Sequence, residues 1–169
     1  MIIMTNEMPK KKHEISVGDQ LIRWINSIFG KKYVIKNGSV IPDLTYCDKD
    51  HEITIEVTSA YYDGYAASIP WESFRKDRIS QKSWQGHNFN ESLIKNINKA
   101  LIDKSQKQYG DNCLLAIFVY APITTIDKFN ALIKEIVIPT NSFKGIFILF
   151  DNNIIELKTT DFLSGAHGS

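Results

Sequence analysis

The sequence predicts an α/β fold: an αβββαβ core whose mixed central sheet is flanked by helices, followed by a C-terminal helix and a β-hairpin. Three observations carry that prediction. Apolar residues recur at helical spacing over residues 13–29 and again over 91–109. Two-residue alternation runs through residues 51–60, with Ile53, Ile55 and Val57 on one side and Thr54, Glu56 and Thr58 on the other. Residues 114–120 form a nearly continuous apolar run, the composition of a strand covered on both faces.

Each element has its own signals. The first helix, expected from His13, gathers Ile15, Leu21, Ile22, Ile25, Ile28 and Phe29, and meets a natural stop at Gly30. Residues 33–36 read as a short strand, Asn37-Gly38 as a hairpin turn, and 39–46 as a second strand whose pairing Pro42 restricts. The polar run 47–50 turns the chain into the third strand. The second helix is predicted with Asn90 as N-cap, Gly110 as terminator and a buried stripe of Leu93, Ile94, Ile97, Leu101 and Ile102. Lys104, Lys107 and Tyr109 end it, and cations in a last turn complement the helix dipole. Residues 125–137 read as a third helix through Ile126, Phe129, Leu132, Ile133 and Ile136. Residues 145–150 and 154–158 form a hairpin around Asp151-Asn152-Asn153, and the small, polar tail 160–169 is expected to fray.

A chain of 169 residues is expected to be one domain, and 43% hydrophobic residues exclude a mainly disordered one. The net charge of +1 creates no global field for a polyanion. The charge is uneven, however. Lys10, Lys11, Lys12, Arg23, Lys31, Lys32 and Lys36 outnumber Glu7, Glu14 and Asp19 in the first 36 residues. The window 43–56 is acidic, with Asp43, Asp48, Asp50, Glu52 and Glu56 against Lys49 alone. A basic rim around an acidic centre suits a metal-dependent enzyme with a polyanionic substrate. Cys47 and Cys113 have no metal-ligand spacing and read as reduced thiols of a cytoplasmic protein, Cys113 being expected to be buried. No run reaches the length of a membrane span, so no membrane partner is expected. His13, His51, His87 and His167 are scattered and outline no zinc site.

The candidate site is Ile41-Pro42-Asp43 with Glu56-Val57-Thr58. If the second and third strands pair about a turn centred between Lys49 and Asp50, Asp43 falls opposite Glu56, within reach of a shared ion. Mg²⁺ prefers oxygen ligands and keeps waters beside one or two protein carboxylates. Without a metal the two carboxylates would repel, or one would take up a proton.

This arrangement, with the order of the first six elements, resembles the PD-(D/E)xK (restriction-endonuclease-like) nuclease superfamily over roughly residues 13–120. The resemblance implies metal-dependent phosphodiester hydrolysis with Mg²⁺ or Mn²⁺ as cofactor, held by Asp43, Glu56 and the Val57 carbonyl. Glu14 on the first helix stands where members of the superfamily often carry a further glutamate; an acidic residue in a first turn also simply complements the dipole. Thr58 departs from the pattern, because the superfamily has there a lysine that positions or deprotonates the attacking water. Three outcomes are open. The cation has migrated, with Lys95 and Lys99 on the second helix as candidates; the metal alone activates the water; or the fold is kept for binding without catalysis.

Residues 61–90 form a long insertion in which Tyr61, Tyr62, Tyr65, Trp71, Phe74, Trp84 and Phe89 interleave with Arg75, Lys76, Arg78 and Lys82. Aromatic faces stack on bases and cations contact phosphates, so Arg75, Lys76, Arg78, Lys82 and Trp84 are the expected nucleic-acid contacts. A short helix is expected over 72–79. The competing reading is a satellite core or a homodimer interface, where Tyr, Trp and Arg are also enriched. Residues 121–158 extend the core. The expectation is a Mg²⁺-dependent endonuclease acting on nucleic acid, DNA before RNA. The alternative is an inactive relative that binds nucleic acid or a protein partner, or serves as an assembly subunit.

Overall fold

A computed structural model describes residues 7–38, 43–61, 89–121, 124–140 and 143–158. The elements are α1 (Glu7–Phe29), β1 (Val34–Gly38), β2 (Leu44–Asp48), β3 (His51–Ala60), α2 (Phe89–Ser105), β4 (Cys113–Val119), α3 (Ile126–Leu132), β5 (Gly145–Phe150) and β6 (Asn153–Lys158). A short 3₁₀ turn, Ile133–Glu135, continues α3. The strands form one six-stranded mixed sheet in sequential order, β1 to β6. β1, β2 and β3 pair antiparallel, β3, β4 and β5 parallel, and β5 with β6 antiparallel.

The alternation of side chains divides the core between the two faces of the sheet. Ile53, Ile55 and Val57 of β3 turn toward α1, where Val17, Leu21, Ile22 and Ile25 are buried. Ala60 of β3, with Leu115 and Ile117 of β4, turns toward α2 and α3, which bury Leu93, Ile97, Leu101 and Phe129. α1 approaches β2 closely. A Cβ added at Gly18 would overlap Leu44 Cδ1 and lie 2.7 Å from the Tyr46 hydroxyl. That hydroxyl donates to Asp19 Oδ1 at 2.8 Å, so the tyrosine is held where it stands.

Several boundaries differ from the sequence expectation, each for a physical reason. α1 begins at Glu7, six residues before His13, because the charged start still accommodates helical pairs such as Lys10 with Glu14. Asn37 and Gly38 are not a turn but the end of β1. Their pairing with Thr45 and Leu44 across a bulge lets Leu44 and Tyr46 bury against α1. β2 therefore spans Leu44–Asp48, and the reversal into β3 needs only Lys49 and Asp50, with Lys49 at φ 55°. α2 starts before Asn90, which is inside the helix, and ends at Ser105. The chain leaves it early so that Tyr109 can bury its ring against Phe143, at 5.3 Å between centroids. α3 is short, with Thr125 as its N-cap accepting from the Lys128 N–H, and Val137 lies beyond it, exposed. The insertion residues 62–88 and the tail 159–169 lie outside the described residues. Among the described residues no helix is long and apolar enough to cross a membrane.

Candidate active site

The site lies at the start of β2, where its partner β3 continues past it. Pairing runs from Asp48 opposite His51 to Leu44 opposite Ile55. One further step sets Asp43 opposite Glu56. There the two carboxylates brace each other's backbone. Asp43 Oδ2 accepts from the Val57 N–H at 2.9 Å, and Glu56 Oε2 faces the Asp43 N–H at 3.4 Å. Glu56 is only 6% exposed and belongs to the sheet face that carries α2.

A cation reaches that buried carboxylate from α2. Lys104 Nζ donates to Glu56 Oε1 at 2.5 Å, and its side chain is 21% exposed. The sequence suggests a dipole-complementing role for Lys104 and names Lys95 and Lys99 as candidate cations; in the structure it is Lys104, in the last turn of α2, that meets Glu56. Asn96 Nδ2 donates to the Tyr61 carbonyl at 2.6 Å, which fixes the level of α2 against the end of β3. From Tyr61 back to Glu56 is about 16 Å of strand. From Asn96 to Lys104 is about 12 Å of helix, a difference that a lysine side chain can span. Lys99 stands at the level of Thr58–Tyr61 and shares a groove with Thr58 and Lys104. Lys95 lines a different, shallower groove with Glu91, Asn98 and Glu135.

α1 closes the other side of the site. Lys11 Nζ donates to the Asp43 carbonyl at 2.7 Å. The same amine lies 3.8 Å from Glu14, and Lys10 lies 3.7 Å from it. Glu14 is buried, 7% exposed, so it is more than a solvated first-turn acid. Its neighbour His13 sits 3.5 Å from Ser59 Oγ and packs edge-on against Phe118. Burial lowers the His13 pKa against the opposing influence of Glu14, so the imidazole is neutral at neutral pH.

The electrostatics single out Asp43. Burial raises its pKa first; the Val57 N–H opposes this, the Glu56 and Glu14 charges raise it further, and Lys104 lowers it. Tyr109, read from the sequence only as the end of the second helix, stands beside this cluster. Among the described residues its buried hydroxyl has no hydrogen-bond partner, yet it is near enough for Glu56, after burial itself, to raise its pKa. Its position one turn beyond a helix end gave no sequence signal of burial.

The remaining predicted site residues divide cleanly. Val57 contributes its N–H to Asp43, as described. Arg75, Lys76, Arg78, Lys82 and Trp84 lie outside the described residues, as does the short helix expected over 72–79. Among the described residues no group of three or more His, Cys, Asp or Glu side chains is arranged to hold a metal ion. Among the described residues the arrangement offers a pair of hard oxygen donors, a buried third carboxylate nearby, and the amines of Lys104 at Glu56 and of Lys11 beside Asp43 and Glu14. No protein-family model, curated protein or solved structure matches this chain.

Proposed function

We propose that this chain is a metal-dependent phosphodiester hydrolase of the PD-(D/E)xK, restriction-endonuclease-like type, acting on nucleic acid, DNA before RNA. One observation carries the reading. Asp43 and Glu56 are locked together at the strand fork, and Lys104 brings to Glu56 the cation that Thr58 does not supply.

The residues present fit a divalent cation. Mg²⁺ or Mn²⁺ takes oxygen donors and is commonly held by one or two carboxylates with waters completing the shell. Asp43 and Glu56 would hold it: burial first, and then the Glu56 and Glu14 charges, raise the Asp43 pKa, and a dication bound there would favour its charged form. Bound there, the ion would polarise the phosphate and lower the pKa of a water. Hydrolysis then joins the water oxygen to phosphorus and breaks the bond to the departing sugar oxygen. The protein's own part is orientation and charge. Lys104, an ammonium in its pair with Glu56, would direct the water or balance the charge growing on the phosphate oxygens. Lys11 holds the Asp43 backbone so that its carboxylate keeps its place.

A second reading has its own support. Lys104 is already engaged with Glu56 at 2.5 Å, a geometry that suits a binding module whose acidic pair is neutralised internally. Measuring Mn²⁺ and Mg²⁺ binding together with plasmid nicking, for wild type and Asp43→Ala, separates the two. The nuclease reading expects metal binding and nicking, both lost in Asp43→Ala. A wild type that neither binds metal nor nicks DNA sinks that reading and leaves the binding module.

A further inference from the structure

We infer that the groove between the end of β3 and α2 is a track for the phosphate backbone of a nucleic-acid strand, anchored by Lys99 and Lys107 and leading to Glu56. The ligand class rests on the nuclease reading above, and the test is chosen so that the two can fail separately.

The groove has a volume of about 460 Å³ and is walled on one side by residues Thr58 to Tyr61 and on the other by α2. That volume falls in the range of about 300–1,000 Å³ that takes up ligands. Asn96 pins the walls together through the Tyr61 carbonyl. Lys99, Lys104 and Lys107 line the α2 side, against one carboxylate, Asp103. Lys104 also pairs with Glu56, so one residue of the groove wall touches the carboxylate pair. None of the ion pairs among the described residues involves Lys99 or Lys107, and both are exposed. Among the described lining residues, Asp103 is the one carboxylate opposing their charge.

A solvated helix face would also leave lysines unpaired, but it would not place them along a concave wall ending at a buried acidic pair. Lys99 and Lys104 are separated by about 8 Å of helix axis, and Lys107 lies two residues past the end of α2. A duplex strand carries one phosphate per about 3.4 Å of axis, so three or so phosphates would face them. The groove offers little for reading bases. The Asn96 amide already donates to the Tyr61 carbonyl, leaving hydroxyls and amines, which favours sequence-independent contact.

The experiment is fluorescence anisotropy of a short labelled DNA duplex in EDTA, where no hydrolysis occurs, at salt from about 50 to about 200 mM. Each phosphate contact contributes about 0.9 to the slope of log affinity against log salt. Lys99→Gln and Lys107→Gln should each flatten the slope by about 0.9, shrinking the affinity drop across that range by about 3.5-fold. Asp103→Asn should tighten binding, which a merely structural role would not produce. Lys49→Gln, in the turn between β2 and β3, should leave the slope unchanged. Slopes that stay equal in the Lys99 and Lys107 variants overturn the track, as does a wild type that does not bind the duplex at all. Flattened slopes without Mg²⁺- or Mn²⁺-dependent nicking keep the track and sink the nuclease; nicking with equal slopes does the reverse.

Discussion

Replacing Lys104 by methionine removes the ammonium while keeping most of the side chain's volume. The structure sets the size of the effect. Lys104 meets Glu56 at 2.5 Å, with side-chain exposures of 21% and 7%. That is more than a surface pair, worth about 0–1 kcal/mol. It is less than a fully buried pair, where losing one partner costs about 3–5 kcal/mol. A loss of about 2 kcal/mol is expected, as for a hydrogen bond to a charged group whose partner is left behind. For a chain of this length that lowers Tm by about 4–8 °C. Thermal unfolding without metal measures it, and the double variant Lys104→Met/Glu56→Gln should recover most of the loss, since neither charge is then stranded. Mn²⁺ should raise the Tm of Lys104→Met more than that of wild type, because the ion replaces the missing cation at Glu56. Single-turnover nicking at saturating Mn²⁺ should fall by about 10²–10⁴, the usual contribution of a group that manages protons or charge in the transition state. Lys104→Arg should restore the stability; it restores nicking only if the side chain acts by charge, because arginine does not give up its proton. A Lys104→Met protein that melts and nicks like wild type would refute the reasoning.

Three further outcomes follow from the same geometry. Asp43, whose folded pKa is raised above its ordinary value of 3.8, contributes stability that is present below that value and lost as pH rises through the folded one. Asp43→Asn should therefore be more stable than metal-free wild type at neutral pH, with the gap closing as pH falls toward the carboxylate range; urea midpoints across pH check this, and a less stable Asn variant at neutral pH contradicts it. Tyr109→Phe deletes a buried hydroxyl that has no partner among the described residues, so metal-free stability should stay level or rise by up to about 1 kcal/mol, and a clear loss would reveal a bond to Glu56. Gly18→Ala gains about 1 kcal/mol of helix propensity but crowds Leu44 and the anchored Tyr46, an overpacking cost of about 1–3 kcal/mol. The net should be a loss of about 1 kcal/mol, read as a Tm fall of about 2–4 °C, and a gain would mean that β2 yields to α1.

The alternation through β3 assigned Glu56 and Thr58 to one face and Val57 to the other, since the period of a strand is local. The tight reversal at Lys49-Asp50 sets the register of a hairpin, so the opposition of Asp43 and Glu56 could be reached by counting. The β1–β2 pairing could not. Asn37-Gly38 is a strong turn signal, but burying Leu44 and Tyr46 against α1 outweighed it and moved the reversal later. The end of α2 was misjudged because the burial of Tyr109 against Phe143 is a contact between distant segments.

The sequence by itself therefore determined the periodic parts: the helices' apolar stripes, the strands' faces and the facing carboxylates, all products of spacing along one or two adjacent elements. Only the tertiary structure decided what surrounds those carboxylates. Lys104 is 48 positions from Glu56, Glu14 reaches the site from the opposite side of the sheet, and Tyr109 is buried only because the chain leaves α2 early. Each depends on how far a helix slides along a strand, at about 1.5 Å per residue against about 3.3 Å. That offset is set by side-chain packing across the sheet, which no local spacing encodes.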